Sequence, residues 1–248
     1  MPGEIVVPQD AEQRLVKVEN LNTVAGDVYQ VILRSADNRP LAWHAGQYLE
    51  VVMPEGAPCA YSIASATAKD GMTLELHIQC YPGHTRAQEV IEHLRSEQAV
   101  TIHLPKGNCH IGECPQVPLV FIAAGTGFAQ MKAMIEQSFL NAHPCPLHLY
   151  WGVRRPNGFY MPSLPVYWAS EKSVHYHPVV SDPEAGDGWN GRDGLLYKAV
   201  LDDKEQLADA HFYISGSPDM VYSTFDELVT AGFPAKHIHS DVFDYCPR

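Results

Sequence analysis

The segment spanning residues 119–140 constrains the fold most. Residues 119–124 (LVFIAA) form an uninterrupted apolar run, the pattern of a strand buried on both faces. Gly125-Thr126-Gly127 follows, and then Phe128, Met131, Met134, Ile135 and Phe139 recur at helical spacing as far as Leu140. Pro144 stops that helix, and residues 147–151 read as a second strand. A strand–helix–strand unit of this length predicts two parallel strands, because the helix carries the chain back to the edge where the first strand began. Further strands are expected at 174–180 and 211–215, a helix at 218–230 that starts on Pro218, and a last strand at 237–243.

The residues before this segment follow a different rule. Between 12 and 105, short stretches rich in β-branched and aromatic residues (14–20, 28–34, 48–53, 73–79 and 99–104) alternate with turn signals such as Ala25-Gly26-Asp27 and the segments 37–40, 54–58 and 69–71. That pattern predicts an antiparallel β-barrel or sandwich. One helix interrupts it at 85–94, where Ala87, Val90, Ile91 and Leu94 share a face. The Pro/Gly-rich connector 105–118 marks a boundary, so the expected organisation is an antiparallel β-barrel at 1–112 followed by a parallel-sheet α/β domain at 113–248.

Composition narrows the partners. With 17 Lys and Arg against 29 Asp and Glu, the formal net charge is −12. Such a chain repels the phosphate backbone, so no nucleic acid is expected as a partner. An anionic membrane surface is disfavoured in the same way. The longest apolar run, 117–124, holds 8 residues, against the ~20 that span a bilayer. The first ten residues lack a basic n-region and an apolar h-region, and the six cysteines are scattered. The expectation is a cytoplasmic protein with reduced thiols and no membrane association. Cys109 with Cys114, and the pairs His175/His177 and His237/His239, lack the further close ligands that a cluster or a zinc site needs, so no metal is expected.

Two places carry chemistry by their form. Ala123-Ala124-Gly125-Thr126-Gly127-Phe128 runs from strand through glycine turn into helix, which points backbone N–H groups and the positive helix end at an anion. The third glycine of a dinucleotide fingerprint would fall at Gln130. Tyr213-Ile214-Ser215-Gly216-Ser217-Pro218-Asp219-Met220 repeats the arrangement, and in an open parallel sheet both turns lie on the carboxyl edge where ligands bind. A third segment, Ala60-Tyr61-Ser62-Ile63-Ala64-Ser65, offers a ring and hydroxyls on a short strand.

The order AGQYLEV (45–51), AYSIAS (60–65), LELHI (74–78), PGHT (82–85), AAGTGF (123–128), LYWGVR (149–154) and YISGSPDM (213–220) resembles the ferredoxin–NADP reductase superfamily, and within it the NAD(P)H:flavin oxidoreductases. The resemblance runs over roughly residues 14–243. It implies a flavin-binding barrel followed by a nicotinamide-nucleotide-binding α/β domain, and an NAD(P)H-dependent flavin reductase as the enzyme. It implies FAD or FMN, bound or taken as a substrate, together with NAD(P)H. Tyr61, Ser62 and Ile63 would lie at the flavin, with the Ser62 hydroxyl near N5, the hydride acceptor. His77, Ile78 and Cys80 would line the flavin site, with Gly83 and Thr85 as a second flavin motif. Gly125, Thr126, Gly127 and Phe128 would hold the dinucleotide diphosphate, and Arg154 and Arg155 its adenosine end. Ser215 (with Ser62, a candidate catalytic residue), Gly216, Pro218 and Met220 would approach the nicotinamide, and Phe243 would cover the flavin.

The departures from the family pattern also speak. Cys59 stands where the family pattern has an arginine that helps to bind flavin or its phosphate, and Gly83-His84-Thr85 is one residue short of Gly-x-x-Ser/Thr. A charge-assisted hydrogen bond contributes about 1.5–3 kcal/mol. Its loss favours a flavin that binds, is reduced and leaves for an oxygenase, a luciferase or ferric iron. Two other readings stand beside this one: an electron-transfer reductase subunit with resident FAD, and a redox-inactive binding module on the same scaffold. The sequence sets no oligomeric state.

Overall fold

The computed structural model describes residues 7–8, 10–67, 70–111 and 115–248. The chain divides into two compact units. The first is Met1–Gly112 together with Lys132–Gln137, and the second is Glu113–Met131 with Ser138–Arg248. The expected boundary at 112/113, and Cys114 of the Cys109/Cys114 pair, lie outside the described residues.

The first unit is built from β1 (Glu12–Ala25), β2 (Val28–Ser35), β3 (Tyr48–Val51), β4 (Cys59–Ser62), β5 (Thr73–Gln79), helix α1 (Thr85–Ser96) and β6 (Val100–Lys106). The strands pair antiparallel in the order β4-β3-β6-β1-β2-β5. Register shifts between Val18 and Asn20 and between Thr23 and Ala25 put extra curvature into the long β1. The two outer strands then meet. Ile63 bridges Leu76 antiparallel, and Ala64 N donates to Glu75 O at 2.7 Å, which closes the sheet into a barrel. Inside are Val31, Leu33, Trp43, Leu49, Ile63, Leu76, Ile78 and Ile102, all fully buried. Helix α1 lays Ala87, Val90, Ile91 and Leu94 on the barrel. Burying each of the larger ones contributes about 1.5–3 kcal/mol.

The second unit holds β7 (Leu119–Ala124), α2 (Phe128–Leu140, whose middle belongs to the first unit), β8 (Leu147–Val153), α3 (Ser163–Glu171), β9 (Val174–Val180), β10 (Arg192–Asp193), α4 (Leu196–Asp202), β11 (His211–Ser215), α5 (Pro218–Thr230), β12 (Ile238–His239) and α6 (Val242–Tyr245). Its strands pair parallel in the order β10-β9-β8-β7-β11-β12. The chain winds outward from β7 through β8, β9 and β10, then returns to the other side of β7 for β11 and β12. The reversal between β7 and β11 is a topological switch point, where ligands bind in such sheets. Among the described residues no helix is long and apolar enough to cross a membrane.

One element differs from expectation. Residues 237–243 do not form one strand: β12 is Ile238–His239, and the chain turns at Ser240 and Asp241 into α6. Two interactions break the strand. The Asp241 carboxylate accepts from Gln130 Nε2 on α2 at 2.8 Å, and Phe243 packs on Tyr222 and Phe225 of α5.

Candidate functional site: two glycine turns and a tyrosine–serine strand

The turns that follow β7 and β11 come together. The strands are neighbours with Ala123 opposite Ser215, and a β-carbon on Gly127 would lie 2.3 Å from Ser215 O. Gly127 is therefore needed by packing against backbone, whereas a β-carbon on Gly216 would displace only the flexible end of Met220, whose Cε lies at 2.3 Å, and touch Ala124 Cβ at 3.0 Å. Gly125 is different. It sits at φ +54°, a left-handed conformation that favours glycine, and a β-carbon there would meet nothing within 4 Å. Its open face leaves room for a ligand against the backbone where α2 begins, as a dinucleotide diphosphate requires.

The turn is braced from below. Trp151 Nε1 on β8 donates to Gly125 O at 3.0 Å, and the Trp151 ring stacks on Phe128 at 3.9 Å between centroids. Phe128 is fully buried, and its N–H is turned back onto the Gly125 and Thr126 carbonyls. Its side chain is thus part of the support, not of the ligand face expected from the sequence. Gln130, at the third glycine position of the fingerprint, is buried and ties α2 to Asp241. On the β11 side Ser217 caps α5 by accepting from Met220 N at 3.4 Å, Pro218 occupies the first turn, and Ser215 and Gly216 are half-buried. Arg154 and Arg155 follow β8 on the same carboxyl edge, and both engage the loop after β9.

In the barrel, Tyr61 and Ser62 lie on β4, half-buried. The Tyr61 ring packs against the barrel core beside Cys59 and Cys80, and burial, reinforced by those two thiols, pushes its hydroxyl well above the ordinary phenol range, so it stays protonated. Among the described residues the Ser62 hydroxyl has no hydrogen-bond partner. β4 pairs with β3 on one side only, so its other edge beyond the Ile63–Leu76 bridge is open to a ligand's polar ring atoms. That half-open strand, with a free hydroxyl and a tyrosine ring, fits a flavin.

Three residues expected here point elsewhere. The side chains of Ile63 and Ile78 are fully buried inside the barrel, because on a strand the alternate positions must fill the core. His77 faces the opposite side from Ile78 and is also buried. Its Nε2 lies 2.8 Å from Glu75 Oε1, which also accepts from Gln30. Lys132 Nζ donates to Glu75 Oε2 at 2.9 Å, to Glu136 Oε2 at 3.0 Å and to Ala64 O at 3.1 Å. Burial pushes the Glu75 carboxyl up, but the His77 hydrogen bond and the Lys132 charge outweigh it and hold it at about 2. Burial lowers His77. Cys80 is half-buried; Gly83, at φ +90°, precedes His84 and Thr85 at the start of α1.

Sequence reasoning passed over Arg86, Trp151 and Lys132. Arg86 is the consequential one, because it occupies the place beside Cys59. Its Nε donates to Cys59 Sγ at 3.1 Å, Nη1 to Glu89 Oε2 at 2.8 Å and to Glu55 O, and Nη2 to Glu55 O and Ala57 O. All five N–H donors therefore have protein acceptors. A signal existed: Arg86 directly follows the Gly83-His84-Thr85 motif. Lys132 had one too, as a lone charge in a helix otherwise apolar at positions 131–135. Among the described residues no group of three His, Cys, Asp or Glu side chains is arranged to hold a metal ion. The paired histidines instead stack: His148 on His175 at 4.5 Å and His211 on His237 at 4.3 Å.

Residues 121–225 match the family described as Oxidoreductase NAD-binding domain. The chain is 34% identical over 209 residues to an NAD(P)H-flavin reductase of Vibrio harveyi, covering 82% of this chain and 86% of that protein. It is 29% identical over 244 residues to terephthalate 1,2-dioxygenase, reductase component 1, of a Comamonas species, covering 97% of this chain and 71% of that one. The fold is that of the ferredoxin reductase in carbazole 1,9a-dioxygenase, with a TM-score of 0.81 at 22% identity over 93% of this chain and 69% of that one. A closed antiparallel barrel, a parallel sheet whose switch point carries a glycine turn, and these relatives agree: the chain is an oxidoreductase of the ferredoxin–NADP reductase superfamily, in its flavin reductase branch, with flavin and NAD(P)H as its cofactors.

Proposed function

We propose that the chain is an NAD(P)H:flavin oxidoreductase whose flavin is a diffusible substrate. The observation that carries this reading is the state of Arg86. The family's arginine is replaced by Cys59, and the guanidinium that stands beside Cys59 instead spends all its donors on Glu55, Ala57, Cys59 and Glu89. A flavin phosphate would find no uncommitted cation there, so its binding lacks about 1.5–3 kcal/mol, roughly 10- to 150-fold in affinity. The likeness to the Vibrio harveyi NAD(P)H-flavin reductase supports the same conclusion.

When both cofactors are bound, the nicotinamide supplies a hydride and flavin N5 accepts it. The chain's residues bind and orient them. Gly125, Thr126 and Gly127 receive the dinucleotide diphosphate at the start of α2. Arg154 and Arg155 lie toward its adenosine end, and Ser215, Gly216, Pro218 and Met220 toward the nicotinamide. Tyr61 offers its ring to the flavin and Ser62 its hydroxyl as a hydrogen-bond partner near N5, while Cys80, Gly83 and Thr85 border the same site. A separate oxygenase or another acceptor would take up the flavin that the chain releases.

The alternative, a reductase component that keeps its flavin, is supported by the likeness to the Comamonas dioxygenase component. A visible spectrum of the purified protein, followed by NADH and NADPH oxidation with and without riboflavin, FMN or FAD, separates the two. A colourless protein whose turnover saturates with added flavin is the expected result. A yellow protein reduced without added flavin establishes the alternative, and no oxidation with any flavin overturns both.

A further inference from the structure

We propose that Asp182 and Glu184 make the dinucleotide site select NADH over NADPH. This rests on reading the β7–β11 edge as the nucleotide site. In sheets of this kind the strand after the glycine turn ends where the adenosine ribose lies, and the side chains there decide the phosphate question: a carboxylate receives a free 2′-hydroxyl, whereas an available arginine receives a 2′-phosphate. Here that strand is β8, the neighbour of β7, and Arg154-Arg155 follow directly on its end. By sequence alone the pair leaves the choice open: two adjacent arginines can accommodate a 2′-phosphate, and arginines are common on surfaces.

The structure ties Arg155 to two carboxylates and sets Arg154 beside one of them. The loop after β9 is fastened alongside, with Ser181 N donating to Val153 O at 2.9 Å and Asp182 N to Arg154 O at 3.1 Å. Arg155 donates to Asp182 O and to the Glu184 carboxylate, and its Nη2 also lies 3.2 Å from Asp182 Oδ2. Arg154 Nε is 3.4 Å from the same Asp182 oxygen. Glu184 is itself held in a turn, its N–H donating to Asp187 Oδ2 at 2.8 Å. Two positive charges thus face the two carboxylates of Asp182 and Glu184, with Asp187 a further negative charge in the same turn. A 2′-phosphate, with charge near −2 at neutral pH, would have to displace carboxylates and remain among them. A ribose diol meets no such repulsion and can donate to them.

The pairs are exposed, with Arg154 at 80% and Asp182 at 53%, so their field is screened by salt. The preference should therefore be electrostatic in signature. The test is calorimetric titration of the whole chain with NAD⁺ and with NADP⁺, at about 20 mM and about 500 mM salt, for the wild type and for the double variant Asp182→Asn/Glu184→Gln. At low salt NAD⁺ should bind at least tenfold more tightly than NADP⁺, the gap should narrow at high salt, and the double variant should bring the two within about threefold. Equal or tighter binding of NADP⁺ by the wild type overturns the proposal. So does a double variant with an unchanged ratio. If neither nucleotide binds while riboflavin still quenches the protein's fluorescence, the nucleotide-site reading itself fails, and the proposal with it.

Discussion

Replacing Gly127 by alanine tests the contact that joins the two turns. The added β-carbon would stand 2.3 Å from Ser215 O, 2.7 Å from Ser215 C and 3.2 Å from Gly216 N. These are backbone atoms, so no rotamer change relieves them; the two chain segments must part by about 1 Å. The last rung between β7 and β11, Ala123 opposite Ser215, sits directly beside the clash. Forced overpacking of this kind costs about 1–3 kcal/mol. At this chain length each kcal/mol lowers Tm by roughly 2–4 °C, so a central cost of about 2 kcal/mol predicts a fall of about 4–8 °C. Gly125→Ala is the control. Its β-carbon meets open space, and the left-handed conformation alone costs about 1–2 kcal/mol. That variant should melt only a few degrees low, yet lose most NAD⁺ affinity, because the methyl group fills the face left for the diphosphate. Scanning calorimetry with NAD⁺ titration reads both quantities. Wild-type melting of Gly127→Ala would show that the turns are not pressed together, and wild-type NAD⁺ affinity of Gly125→Ala would remove the diphosphate from that face.

Three further outcomes are expected. Lys132→Met leaves the Glu75 carboxylate buried without its cation, which costs about 3–5 kcal/mol and should appear in urea denaturation; an unchanged midpoint would mean the pair contributes nothing. The Glu75 carboxyl, faced by His77, Gln30, Lys132 and Glu136, is held at about 2 in the folded chain against 4.5 ordinarily. Its contribution is therefore complete above about pH 4.5 and lost as pH falls toward 2, and Glu75→Gln should flatten that part of an acid titration followed by circular dichroism. Ser62→Ala should slow hydride transfer about tenfold in stopped-flow while leaving NAD⁺ affinity intact, and an unchanged rate would remove the hydroxyl from the reaction.

Most of the architecture was legible because its signals are local. The strand at 119–124 and the helix at 128–140 were bounded by glycine and periodicity, and Pro218 marked the first residue of α5. What escaped depended on distant partners. α3 carries Pro165 in its first turn and little amphipathic pattern, and its Trp168 packs on Phe128 and Phe139, partners that local sequence does not reveal. The last strand was cut short by the Gln130–Asp241 bond across 111 positions. In the candidate site, the motifs named Tyr61, Ser62 and the glycine turns together with Ile63, Ile78 and Phe128, and the side chains of the last three face inward. A motif names a stretch of backbone; which side chains reach the ligand is decided by the pleat of the strand. The role of Arg86 was hidden because it reaches a position 27 residues earlier in the chain.

The inclusion of Lys132–Gln137 in the first unit also has a consequence for biosynthesis. Ribosomes add roughly 5–20 residues per second, so 25 residues separate Gly112 from Gln137 by roughly 1–5 s of elongation. Throughout that interval every strand of the barrel exists, but Glu75 has no ammonium to meet and the outer face of β5 lies uncovered. The buried pair of Glu75 with Lys132 forms only once that piece of α2 has been made. A fragment ending at residue 112 would keep the bonds of the β4–β5 seam but leave the Glu75 carboxylate without its ammonium.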